Sequence, residues 1–258
     1  MKNIQLIIAY DGTGFLGWQK TPLGSTVEET LETVLSQILQ EKIHLQAASR
    51  TDANVHAEGQ SINFFTNKDR IPLSKLLQGI NALLPPSIAA LSIEEKPFPF
   101  HPTLDSQGKE YQYFICNTPY QQPKHRFFSW HVKSPLQIDL MKEASKHLLG
   151  THDFSAFCNQ RSLLDKDPTC TLYSIKIDLL ENDRIKFSII GNRFLYRMMR
   201  NLVGTLAYIG QGKITPEEVK EILLQKKRAL AGITAPAHGL HLIQVFYKKM
   251  EDSILYSN

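Results

Sequence analysis

The chain has 258 residues, 42% of them hydrophobic, enough for one large domain or two smaller ones around a real core. Its net charge of +4 is unevenly shared: residues 1–105 hold 8 Lys+Arg against 11 Asp+Glu, a net −3, and residues 106–258 hold the remaining 21 against 14, a net +7. A positive second half suits a polyanionic partner such as nucleic acid, and equally fits the ordinary charge scatter of a soluble protein. No apolar run reaches the length of a membrane span, three unpaired-looking cysteines give no disulfide framework, and nine histidines form no metal-ligand spacing.

In chain order, residues 4–10 (IQLIIAY) are apolar on both faces and read as a buried strand. The N-terminal run MKNIQLIIAYDGTG is too short in its apolar part, and lacks the small-residue cleavage pattern, to read as a signal peptide. Ser25 and Thr26 are candidate N-caps, with Glu28 and Glu29 as capping-box partners. Val27, Leu31, Val34, Leu35, Ile38 and Leu39 then follow at helical spacing. Residues 61–66 (SINFFT) read as a strand, and residues 72–84 as a helix opening on Pro72 and stopped by Pro85-Pro86. Residues 88–95 are a further strand, after which Pro97, Pro99 and Pro102 break the chain.

The second half repeats the plan in element order. Residues 109–117 (KEYQYFICN) alternate as a strand, and residues 136–150 read as a helix closed by Gly150. Residues 173–180 and 184–190 flank Glu181-Asn182-Asp183 as a hairpin. Residues 194–210 (FLYRMMRNLVGTLAYIG) read as a long helix, residues 215–225 as another, and residues 239–247 as a closing strand. The expected fold is α+β, with two related halves of ferredoxin-like βαββαβ type, a central mostly antiparallel sheet and pseudo-twofold symmetry. The expected division is residues 1–102 and 103–258.

Gly12-Thr13-Gly14-Phe15-Leu16-Gly17 matches a dinucleotide-binding fingerprint in letters only. The helix does not open at its third glycine, and no strand-end acid follows at the required distance. The loop reads either as a tight turn over a buried Trp18 or as an RNA contact through Phe15, Trp18 and Lys20.

Residues 48–60 (ASRTDANVHAEGQ) put Arg50, Thr51 and Asp52 side by side. A sheltered carboxylate beside a guanidinium stays ionised and can serve as a nucleophile; a surface ion pair or turn gives the same letters. In the helix expected from Phe194, Arg193, Arg197 and Arg200 would share one face, opposite Leu195, Met198, Leu202 and Leu206. One of these arginines could approach Asp52 and the others could meet phosphates, or the stripe is simply solvated. Residues 124–133 (KHRFFSWHVK) mix cations and aromatics in a manner suited to RNA stacking, although a core strand explains them more simply.

Four blocks together resemble the tRNA pseudouridine synthase A family: residues 10–19 (YDGTGFLGWQ), 49–60 (SRTDANVHAEGQ), 109–115 (KEYQYFI), and 192–206 (NRFLYRMMRNLVGTL) with 235–242 (APAHGLHL). The resemblance implies that Asp52 is the nucleophile. It also implies that Tyr111 stacks on the target base and assists proton removal, that Arg50 serves RNA binding and base flipping, and that Arg200 pairs with the catalytic Asp. Leu240 would line the uracil pocket. Two positions depart from the family pattern: Asn54 replaces a usual glycine, and Thr103 a usual arginine. Asn tolerates the left-handed backbone, so the turn can survive.

The implied activity converts uridine to pseudouridine at positions 38, 39 and 40 of the tRNA anticodon arm, without cofactor or metal. The implied partners are tRNA and a second copy of the chain in a homodimer, with no membrane, in the cytoplasm. Asp52 would attack C1′ of the ribose or C6 of the ring, or help expel the uracil anion. Two other readings stand beside this one: a non-catalytic tRNA-binding chaperone, and an Asp-dependent hydrolase drawing metal-binding acids from Asp11 and Glu58.

Overall fold

The computed structural model describes residues 1–68, 71–159 and 167–248. They form two compact units. The first contains residues 1–107 and the returning segment His241–Tyr247; the second contains Gly108–Leu240, with Lys248.

In the first unit, β1 (Lys2–Tyr10) is the buried strand its apolar run demands. α1 (Val27–Leu39) is capped by Thr26, whose hydroxyl accepts from the Glu29 N–H, and Glu28 and Glu29 lie in the first turn where the helix dipole favours them. β2 (Gln46–Ala47) is short, and β3 (His56–Thr66) begins five residues before the expected strand. α2 (Leu73–Leu83) has Pro72 as its N-cap rather than within its first turn, and β4 (Ile88–Lys96) follows. β1 pairs antiparallel with both β3 and β4. The other edge of β3 is shared. Its later residues pair antiparallel with β2, as Gln46 opposite Asn63, and its first residues pair parallel with β10 (Leu240–Phe246), as His241 opposite His56. The order β4-β1-β3-β2 is that of a βαββαβ unit. Its core holds Ile4, Leu6, Ile8, Leu31, Leu35, Ile62, Phe64 and Ile80, each almost wholly buried.

The second unit opens with β5 (Gly108–Cys116), against which β6 (Trp130–His131) adds a parallel pair. α3 (Ile138–Lys146) stops well before Gly150. That glycine has φ of +92° and instead opens β7 (Gly150–Asp153). β8 (Thr169–Leu180) and β9 (Arg184–Gly191) are the expected hairpin, with Asn182 and Asp183 taking the left-handed backbone of its turn. α4 (Met198–Gly210) and α5 (Glu218–Gln225) complete the unit. The antiparallel order is β5-β9-β8-β7. Tyr113, Ile115, Phe187 and Ile189 on the sheet, with Leu202, Val203 and Leu206 on α4, are all close to fully buried.

Residues 124–133 are not a core strand. They turn through a 3-10 segment at Pro123–His125 and pair only at Trp130–His131. Phe127 is exposed, with the Arg126 guanidinium 4.2 Å from its ring centre.

Candidate active site

The Asp52 loop lies in the first unit between β2 and β3, and its backbone is held from several sides. Ser49 N–H donates to the Gln60 side-chain oxygen at 3.2 Å, and the Gln60 amide returns a bond to the Ser49 carbonyl at 2.6 Å. The Tyr10 and Thr51 hydroxyls meet at 2.7 Å in a buried contact, and Trp18 N–H donates to the Thr51 carbonyl at 3.0 Å. Val55 N–H closes the turn onto the Asp52 carbonyl at 3.1 Å. Asn54 has φ of +64°, so it adopts the left-handed conformation that this departure from glycine had to tolerate.

The glycine motif at residues 12–17 supports this loop. A Cβ on Gly12 would lie 2.1 Å from the Val55 carbonyl oxygen. Gly17 has φ of +93°, and a Cβ there would lie 2.7 Å from the Thr51 oxygen and 3.0 Å from the Asp52 carbonyl carbon. The two glycines are therefore points where one backbone seats on another. Trp18 is buried, as the turn reading expects, and Lys20, exposed, is ion-paired with Glu32. Gly12 N–H also donates to His56 Nδ1 at 3.1 Å, and the His56 ring stacks on His241 at 4.7 Å. Within this frame the Asp52 side chain is half-buried and Arg50 is exposed. The Asp11 carboxylate accepts from Thr13 N–H within the glycine turn. Among the described residues, no group of three or more His, Cys, Asp or Glu could hold a metal ion.

In the second unit, strand alternation puts Lys109, Tyr111, Tyr113 and Ile115 on the buried face of β5. Tyr111 meets Phe194 edge-on at 5.0 Å. Tyr113 is completely buried and donates its hydroxyl to the Pro236 carbonyl at 2.8 Å. Burial pushes its phenol well above the usual value, opposed by the positive charge of Arg200. Lys109, also buried, is pushed down by desolvation from the usual 10.5 to about 8.

Arg200 lies in the first turn of α4. Its Nε–H donates to the Ala235 carbonyl at 2.7 Å, and its own carbonyl accepts from Ala235 N–H at 3.1 Å. Residues 231–240 form a strap that α4 and β5 hold closely. A Cβ on Gly204 would fall 1.7 Å from the Ile233 oxygen, and one on Gly239 would fall 2.6 Å from the Tyr113 ring. Leu240, almost buried, follows directly. Tyr111, Arg200 and Leu240 thus belong to one unit, linked through Tyr113 and the strap; Asp52 and Arg50 belong to the other.

The expected arginine stripe does not form. α4 starts at Met198, four residues later than its periodicity suggested, and Arg197 caps it with φ of +61°. Arg193 lies outside the helix, where it pairs with Asp167 at 3.0 Å and donates to the Thr169 carbonyl. Arg197 lies over the Tyr196 ring. Only Arg200 of the three is helical. Tyr113 has a signal in the sequence as well, since it lies two residues beyond Tyr111 on the same strand face.

Residues 6–103 and 144–248 match the family model described as tRNA pseudouridine synthase. The chain belongs to the tRNA pseudouridine synthase family; it is an isomerase that processes tRNA. Within that family it is similar to proteins called tRNA pseudouridine synthase A. One from Protochlamydia amoebophila, named tRNA pseudouridine synthase A 2, is 49% identical across 96% of this chain and 95% of its own. Those of Thermoanaerobacter sp. and Acetivibrio thermocellus are 42% and 40% identical across 96% of this chain and all of theirs. The α+β fold with mostly antiparallel pairing is the pseudouridine synthase fold. Among solved structures, an H/ACA ribonucleoprotein bound to a substrate RNA containing 2′-deoxyuridine matches over 93% of this chain and 45% of that one, at 12% identity and a TM-score of 0.36. No helix among the described residues is long and apolar enough to cross a membrane.

Proposed function

We propose that the chain isomerises uridines 38, 39 and 40 in the anticodon arm of tRNA, with Asp52 as nucleophile. The reaction breaks the bond from C1′ to N1, rotates the uracil and forms a bond from C1′ to C5. A proton leaves C5 and N1 gains one, so no oxidant, reductant or energy source is consumed. Attack by Asp52 at C1′ and attack at C6 both satisfy this balance, as does Asp52 assisting the departure of the uracil anion.

The observation that carries the reading is the Asp52 loop itself. Its backbone is bonded by Trp18 and Gln60 and seated against Gly12 and Gly17, the Thr51 hydroxyl meets that of Tyr10, and Asp52 is half-buried. A loop serving only as a connection does not need a buried hydroxyl pair and two glycine seats beneath one acid. Tyr111 then stacks on the flipped base, and its hydroxyl, directly or through water, helps remove the C5 proton. Arg200, oriented by Ala235, takes the role that the family resemblance gives it, the cation partner of the reacting carboxylate. Exposed Arg50 holds the flipped nucleotide, which leaves its stack at a cost of a few kcal/mol. Leu240 lines the uracil pocket. The working form is a cytoplasmic homodimer.

The test is release of tritium from tRNA labelled at uridine C5. The wild-type chain releases label from an anticodon-arm substrate and Asp52→Ala does not. Equal release by both would overturn the assignment, and binding without release by the wild type would favour the chaperone reading. Replacing uridines 38–40 by cytidine should abolish release; label lost from other positions would refute the anticodon-arm assignment.

A further inference from the structure

The strap that carries Ala235 is itself held by a residue with no part in the scheme above. Arg228 lies just before it, with its guanidinium half-buried, and desolvation pulls it below the usual arginine value. Among the described residues no carboxylate pairs with it. Its partners are neutral oxygens. One terminal nitrogen donates to the Gly232 carbonyl at 2.7 Å and lies 3.4 Å from that of Ala231. The other donates to Asn201 Oδ1 at 2.9 Å and Thr234 Oγ1 at 3.1 Å.

These partners lie on two elements, Asn201 on α4 and the rest on the strap. They are joined further by the Thr234 hydroxyl donating to Asn201 Oδ1 at 2.7 Å, and by Gly232 N–H donating to the Thr205 hydroxyl at 2.9 Å. Asn201 is in turn fixed by donating to the Phe157 carbonyl at 2.8 Å. A planar fork can meet oxygens on two elements at once; a lysine ammonium cannot reproduce that geometry.

The position of the fork is what matters. Asn201 is the residue after Arg200, and Thr234 is the residue before Ala235. The Arg228 clamp thus lies one residue away, on both elements, from the paired bonds between Arg200 and Ala235. If the strap lifts, the Ala235 carbonyl moves and the Arg200 guanidinium loses the contact that sets its plane.

We propose that Arg228 is a positioning residue for pseudouridine formation: by clamping residues 231–234 to α4 it holds the Ala235 carbonyl that orients Arg200. The inference rests on the role given to Arg200 above, so its test separates the two. Full-length Arg228→Lys, Arg228→Ala, Arg200→Lys and the double variant Arg228→Lys/Arg200→Lys are assayed on tRNA, with rates taken per folded molecule from circular dichroism.

A catalytic group displaced by about 1 Å can lose about a hundredfold in rate. Arg228→Lys should therefore lower kcat by roughly tenfold to a hundredfold, with KM for tRNA within about threefold of wild type, the split expected when a transition-state contact is disturbed. Guanidinium ion, at a concentration that leaves the wild type folded, should restore part of the kcat of Arg228→Ala. The double variant should be no slower than Arg200→Lys by more than about threefold, because both changes remove one alignment. Wild-type kcat in Arg228→Lys, or losses that multiply in the double variant, would overturn the proposal while leaving the role of Arg200 intact. Wild-type kcat in Arg200→Lys would overturn both.

Discussion

At the scale of single residues, the site rests on positions where backbone geometry leaves little choice. Asn54 at φ of +64° can be replaced by glycine at little cost, whereas a β-branched residue there carries roughly 1–3 kcal/mol of strain. Asn54→Gly should match the wild type in thermal midpoint and activity, and Asn54→Val should lose both; an unchanged Asn54→Val would show that the turn does not constrain Asp52. Lys109 gives a prediction with a sign. Its pKa in the folded chain, about 8, lies below the usual 10.5. Below pH 8 the unfolded chain carries the proton without penalty and the folded one with it, so burial costs roughly 3 kcal/mol there. The cost fades between pH 8 and 10.5 as the unfolded state alone retains the proton. Lys109→Met should therefore be more stable than the wild type in urea at pH 7, and that advantage should shrink by pH 10. An advantage that does not depend on pH would contradict the desolvation argument.

The residue scale also shows what could be read in advance. The tolerance of Asn54 for left-handed backbone was legible because it depends on one side chain and one turn. The support that Gly12 and Gly17 give the Asp52 loop was not. Their letters fit a phosphate-binding pattern, and only the approach of residues 51–55 reveals why a Cβ is excluded at both.

At the scale of elements, α1, α2, β1, β4 and the β8–β9 hairpin follow from periodicity, caps and prolines, which are local. α4 does not. Its apolar spacing continues back to Phe194, so the pattern alone runs the helix four residues too far. Arg197 ends it in the left-handed region while Arg193 is drawn to Asp167 and Thr169. Tertiary contacts override the period there, and the basic stripe dissolves with it. α3 fails in the other direction: Gly150 looks like a helix stop but serves the first residue of β7. A Cβ added at Gly204 would lie 1.7 Å from the Ile233 carbonyl oxygen, which makes Gly204→Ala a direct test of how α4 holds the strap. Overpacking of this kind typically costs about 1–3 kcal/mol. The variant should melt earlier and lose kcat beyond its loss of folded fraction; wild-type behaviour would mean the strap yields without consequence for Arg200.

At the scale of the whole molecule, family membership was legible because four short blocks taken together resemble the family whose model matches residues 6–103 and 144–248; the expected division after residue 102 already parted Asp52 from Arg200, whereas the return of His241–Tyr247 to the first unit was not legible, because it depends on pairing with β3. Charge acts at this scale too. The net +7 on residues 106–258 should make tRNA affinity fall steeply as salt rises, because phosphate contacts release counterions. A dissociation constant that is flat between low and physiological salt would show that the basic half does not carry binding. The most direct measurement is C5-tritium release from anticodon-arm tRNA by the wild type and by Asp52→Ala, with tRNA affinity measured on the same samples. The expected result is release by the wild type, a fall of at least about a thousandfold in Asp52→Ala, and similar affinity for both; release at comparable rates by the two would contradict Asp52 as the nucleophile.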